Sequence, residues 1–276
     1  MRLGIHAVLF KGRIATETDQ VLSMIESSRA EAFEMGARFF GVDKGEAMSR
    51  KVSEHHLALS GLHVSNNLVD YLDRPEECHG RLVNAAKFLQ FFPDKNIIHT
   101  GGLPQEQFDS PILGDERLIN EKEVRKIART LNAFAKELKE QYGVTINYHN
   151  HNWEFKNDAL VYNALLEEAP DMRFALDIGW AAVSGYDPLS LIQKYPARFH
   201  YLHLRDYKKA ELSGLISFKD IQMKAFCPIG EGDMNLPAIM RAVANDSFLI
   251  VEYETGEEDI ARYTAAMQYL GKVRAK

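Results

Sequence analysis

Short apolar runs alternate along this chain with longer stretches in which apolar residues recur every three or four positions. The first kind reads as a buried strand and the second as an amphipathic helix. Residues 3–9 open with a strand-like run. Residues 19–37 then show helical spacing through Val21, Leu22, Ile25, Ala32 and Phe33, with Gly36 near the end as a stop signal. A short strand is expected at 39–43, a weaker helix at 47–59 and a strand at 61–65. Pro75 opens a helix that runs to Phe92, with Leu82, Ala85, Ala86 and Leu89 on its apolar face. NIIHT at 96–100 is the next strand, followed by a long polar loop at 103–119. Asn120 caps a helix with Glu121 and Glu123 in its first turn, and Gly143 terminates it.

The second half repeats the pattern. TINYHNHNWEF at 145–155 begins as a strand, a helix at 160–169 is closed by Pro170, and 174–178 is strand-like. Pro188 starts a short helix, 199–206 reads as a strand, and 207–234 is long and irregular. Asn235 caps a helix at 236–244, a last strand covers 248–254, and a helix follows at 257–273. About eight strands alternating with helices is the pattern of an α/β chain folded as a single (β/α)8 TIM barrel over residues 1–276. A doubly wound open sheet is the alternative, weakened because no GxGxxG follows the first strand.

A hydrophobic content of 46% is enough for a full core, and a formal net charge of -6 argues against a nucleic-acid partner. Cys78 and Cys227 lie far apart with no CxxC, which suits a reducing compartment. The N-terminal apolar run is short and lacks a small-residue cleavage site, and no stretch reaches the roughly 20 apolar residues of a membrane span. The expectation is a soluble cytoplasmic protein.

The chemistry gathers at strand ends. In a parallel barrel the strand C-termini form the active face. His63, His99, His149 with His151, Asp177, His203 and Glu252 all fall there. Imidazole and carboxylate together suit Mn, Co, Fe or Zn, and the lack of a cysteine pair excludes a structural zinc cage. Plainer roles compete for several of these residues. His63 or His99 alone is also an ordinary hydrogen-bonded strand-end residue, and His151 is also a donor that orients a neighbour. Arg205 and Asp206 read equally as a solvent-facing ion pair. Trp153 and Trp180 either pack or stack on a sugar, Gly230 and Gly232 permit a turn, and Phe88, Phe91 and Met240 read as core.

The series HNHNWEF, ALDIGWAAVSGYDP, HLRD, PIGEGD and VEYE resembles the xylose isomerase-like TIM-barrel superfamily, within it the sugar phosphate isomerase/epimerase group. The resemblance implies one divalent metal held by a ligand from each of the fifth to eighth barrel strands, here His149, Asp177, His203 and Glu252. It departs at the fifth strand, where many members have a glutamate and this chain has His149. Glu154 or His151 would have to replace that glutamate as the acid–base partner of Glu252. His63, His99 and Trp180 are expected to touch substrate, and Arg205 or Lys208 to hold a distal phosphate or carboxylate. The implied function is a metal-dependent isomerase or epimerase of a sugar or keto-sugar, working through a metal-stabilised enediolate. The alternative is an inosose dehydratase-like lyase that eliminates water from a keto-polyol. A non-catalytic sugar-binding barrel is a third reading. A DNA repair endonuclease, a distant relative, is disfavoured because Trp180 stands where that enzyme needs histidine. Barrels of this group often pair, so a homo-oligomer is compatible with the resemblance.

Overall fold

A computed structural model of the chain describes residues 1–103, 115–215 and 217–275. Eight parallel strands close into a barrel. They are β1 (Arg2–His6), β2 (Ala32–Gly36), β3 (Ala58–Asn67), β4 (Asn96–Gly102), β5 (Thr145–His149), β6 (Arg173–Asp177), β7 (Tyr201–Leu204) and β10 (Phe248–Val251), with β10 pairing β1 to close the ring. Two short strands, β8 (Asp206–Tyr207) and β9 (Phe226–Cys227), form an antiparallel pair above it. Helices between the strands form the outer layer, which makes this a (β/α)8 barrel.

Strand side chains alternate between the barrel interior and the helix layer. Ala32, Ile98, Ala175, Tyr201, Phe248 and Ile250 make a separate small core inside the ring. Their neighbours Phe33, Ile97, Leu176, Leu202 and Leu249 belong to the large core shared with the helices. One step of two further along each strand, the inward positions become polar: Glu34, Thr100, Asp177, His203 and Glu252. The barrel is therefore plugged by hydrocarbon below and carries ionisable groups at its C-terminal end.

The second strand was mislocated by periodicity. The helix predicted at 19–37 ends at Ser27, Arg29 turns the chain with a φ of 69°, and Ala32–Gly36 is β2. Ala32 and Phe33 fit a helical stripe as well as a strand, so spacing alone could not separate them. The strand expected at 39–43 is two 3-10 turns, Ala37–Phe39 and Val42–Lys44. The helix expected to reach Leu59 stops at Glu54, and His56 at a φ of 54° turns the chain into β3. Within the irregular stretch, Phe218–Lys224 is helical. Phe88 and Met240 are core as expected, but Phe91 is 45% exposed. Most of the loop expected at 103–119 lies outside the described residues. No helix among the described residues is long and apolar enough to cross a membrane.

Candidate metal centre

Four residues from adjacent strand ends converge. His149 closes β5, Asp177 closes β6, His203 lies in β7 opposite Asp177, and Glu252 follows β10. Each offers one ligand atom, and those atoms all lie within 4.8 Å of one another. The rings of His149 and His203 are 4.4 Å apart, and His203 Nδ1 is 2.7 Å from Glu252 Oε2. All four side chains are buried.

The local sequence explains the convergence. Asn150, just past β5, clasps the end of β6. Its Oδ1 accepts from the Asp177 N–H at 3.0 Å, and its amide donates to the Asp177 carbonyl at 3.3 Å. Asp177 caps the helix Ile178–Val183 by accepting from the Trp180 N–H at 2.8 Å. Gly179 is required beside it, because a Cβ there would meet the Arg205 Cβ at 2.5 Å. Arg205 then reaches Asp177 Oδ2 at 2.6 Å, Glu252 Oε2 at 3.0 Å and Glu254 Oε2 at 2.7 Å.

Whether this cluster fits a cation can be judged from its polar atoms. His149 Nδ1 is fully buried and lacks a hydrogen-bond partner, and beside it His203 Nδ1 and Glu252 Oε2 are fully buried with only each other and Arg205 at hand. An unpaired buried ring nitrogen beside this imidazole–carboxylate pair is costly unless something pairs with it. Two imidazoles and two carboxylates at this spacing suit Mn, Fe, Co or Zn. The electrostatics agree. Burial, with His203 close by, holds His149 well below the usual imidazole range, so its ring is neutral. Burial raises Glu252, but Arg205 and His203 more than reverse that and keep it ionised. Burial lowers His203, yet Glu34 and Glu252 on its two sides raise it well above its ordinary value, marking a spot that attracts positive charge. Asp177 is pushed up to about 6 by burial, against the pull of Arg205.

The centre opens into a cavity of about 900 Å³. His6, His63, His149, His151, Glu252 and Glu254 line its polar end, and Phe39, Phe40 and Phe88 line another part. His151 is buried, its Nδ1 has no partner, and burial pushes its ring down to about 4.

Several expected contacts are not brought to this cavity. His99 sits at an outward position of β4 between Ile98 and Thr100. Its nitrogens meet the Tyr71 hydroxyl at 3.1 Å and the Val64 carbonyl at 3.1 Å. Glu154 is fully buried behind β5, where Tyr148 donates to Oε1 and the His151 N–H to Oε2, and it does not line the cavity. Trp180 is also fully buried and stacks on Phe218 at 4.4 Å, which removes it as a sugar platform. Arg205 is 3% exposed and lies against three carboxylates, so it is neither a solvent-facing partner of Asp206 nor free to hold a distal phosphate. Lys208 is exposed and lies outside the cavity lining. Trp153 packs in the core.

Two residues of the site were missed. His6 in β1 and Glu34 in β2 are buried beside His203 and His63. The signals were a lone charge in the apolar run AFEM, hidden by the misplaced second strand, and a histidine in GIHAV, inside the first strand that was expected at 3–9.

Comparison with known proteins follows the same line. A family profile described as xylose isomerase-like TIM barrel matches residues 25–273. An inosose dehydratase of Clostridium perfringens is 26% identical over 191 residues, covering 65% of this chain and 64% of that relative. The match thus spans less than two thirds of the relative's length. Among solved structures, a probable 3-DHS dehydratase of petrobactin synthesis from Bacillus anthracis superposes with a TM-score of 0.73 at 14% identity, covering 98% of this chain and 99% of the other. A 3-keto-D-glucoside 4-epimerase from E. coli gives 0.70 at 12% identity and covers 100% of both chains. At these identities the superpositions speak for the fold.

Proposed function

The chain belongs to the xylose isomerase-like TIM-barrel family, and from that premise we propose that it is an enzyme removing a proton beside the carbonyl of a sugar or keto-polyol and expelling a β-hydroxyl as water. His149, Asp177, His203 and Glu252 would hold a divalent cation. When bound, the ion supplies Lewis-acid polarisation of the carbonyl, which acidifies the neighbouring C–H.

The observation that carries this reading is the count of carboxylates facing the cavity. Among the described residues they are Glu252 and Glu254, and both leave the end of the same strand. Both touch Arg205, but Glu254 is also held by the Gln222 amide at 2.6 Å and only Glu252 belongs to the ligand cluster, which makes Glu252 the base in this reading. Epimerisation by two carboxylates needs bases on opposite faces of the substrate. One carboxylate is sufficient for elimination on a single face, because it can pass the proton it takes to the departing hydroxyl. Arg205 holds Glu252 in place and ionised, and the His151 ring lines the same cavity. The similarity to an inosose dehydratase of C. perfringens supports the same choice.

Isomerisation is the second reading, since Glu252 can equally return its proton to the adjacent carbon on the same face. Incubation with inososes and keto-sugars in D2O separates the two. The proposal expects a product lighter by one water, while isomerisation keeps every heavy atom and gives a product heavier only by the one carbon-bound deuterium taken from solvent. Glu252→Gln is expected to lower either turnover by roughly 100-fold or more. Full activity in that variant would remove Glu252 from its role.

A further inference from the structure

Glu34 has no place in the ligand set, yet it is the most heavily engaged acid of the barrel interior. It is fully buried in β2. His63 Nδ1 lies 2.7 Å and His6 Nε2 3.0 Å from its Oε1. His203 Nε2 at 2.7 Å and the Tyr201 hydroxyl at 2.8 Å meet its Oε2. A carboxylate offers acceptors alone, so every nitrogen that hydrogen-bonds to it carries the proton.

The tautomers follow. His203 holds a proton on Nε2 toward Glu34, so a cation that displaces the proton shared between its Nδ1 and Glu252 Oε2, 2.7 Å apart, meets the Nδ1 lone pair. His63 holds its proton on Nδ1, leaving Nε2 to accept from the Thr100 hydroxyl at 2.6 Å. His6 accepts the Val8 N–H at Nδ1, at 3.1 Å, so its proton is on Nε2 and points at Glu34.

We infer that Glu34 is the positioning residue of the metal centre, fixing through the His203 Nε2–H which nitrogen of that ring faces the ion. The inference rests on the reading that the four-residue cluster binds a cation. Carboxylates that accept from the second nitrogen of a ligating histidine set its tautomer, orient the ring and raise its basicity. A rival use of the same residues is a second ion, because ligand atoms of His6, Glu34 and His63 also lie within 4.8 Å of one another. The Val8 contact counts against it. With His6 Nδ1 accepting from the backbone, its Nε2 carries hydrogen and has no lone pair to give.

In Glu34→Gln one acceptor oxygen becomes an amide N–H₂ that confronts two donors. Metal affinity is expected to fall about ten- to a hundred-fold. The test titrates metal-stripped wild type and Glu34→Gln with 113Cd²⁺, following affinity and the ring 15N spectrum of histidine. Wild type should show cadmium coupling at His203 Nδ1 with a proton on Nε2, and the folded variant should bind more weakly. Coupling at Nε2, two ions per chain, or equal affinity in Glu34→Gln would overturn the inference while leaving the metal reading intact. No cadmium binding at all would overturn both. If Glu34→Gln does not fold, the wild-type spectrum decides.

Discussion

At the scale of single residues, the site is governed by what burial does to charge. Glu154 is the clearest case. Burial pushes its carboxyl from 4.5 up to about 8, so the folded chain keeps a proton that the unfolded chain has released. Stability from this group is complete below pH 4.5 and is lost as pH rises towards 8. At its steepest the loss is about 1.4 kcal/mol per pH unit. Glu154→Gln should therefore flatten the decline of the thermal midpoint between pH 5 and pH 8, read by calorimetry against wild type. An identical slope would show that Glu154 is ionised in the folded chain. Arg205 makes the opposite argument. It is 3% exposed and compensates Asp177, Glu252 and Glu254. Arg205→Met leaves those carboxylates buried without their cation and should cost about 3–5 kcal/mol in urea unfolding. A divalent ion should restore more stability to this variant than to wild type.

At the scale of elements, strand parity decided which sequence expectations held. The convergence of His149, Asp177, His203 and Glu252 was readable because each lies at or beside a strand end and shares a face with inward residues two positions earlier. His99 was misread for the same reason, since its neighbour Ile98 takes the interior position. Glu34 was lost when Ala32 and Phe33 were assigned to a helix. Glu154 looked available because nothing in the sequence shows that the chain turns after His149 and tucks that side chain against Tyr148. The PIGEGD segment shows what its glycines do. Asp206 gathers the N–H groups of Gly230 at 2.9 Å, Gly232 at 3.1 Å and Met234 at 3.0 Å. A Cβ at Gly232 would lie 2.2 Å from Asp206 Oδ1. Gly232→Ala should thus destabilise the chain by about 1–3 kcal/mol. Asp206→Asn, which turns one acceptor into a donor facing N–H groups, should do so by about 1–3 kcal/mol as well. Urea titration of both variants checks this, and wild-type midpoints would mean that the loop is held by other contacts.

At the scale of the molecule, the barrel puts an apolar plug below and a ring of ionisable side chains above, so charge is concentrated where the cavity opens. The (β/α)8 fold was legible in the alternation of elements, even with one strand misplaced, because closure depends on the count and order of units. The choice of reaction was not legible, because it turns on which carboxylates face the cavity. One measurement bears most directly on metal-assisted proton removal by Glu252. It is the rate at which the proton beside the carbonyl of an inosose or keto-sugar exchanges with D2O, followed by NMR on a single preparation. Exchange should fall by roughly 100-fold or more when a chelator strips the protein, and recover when Mn²⁺ is returned. A rate indifferent to the metal would contradict the account.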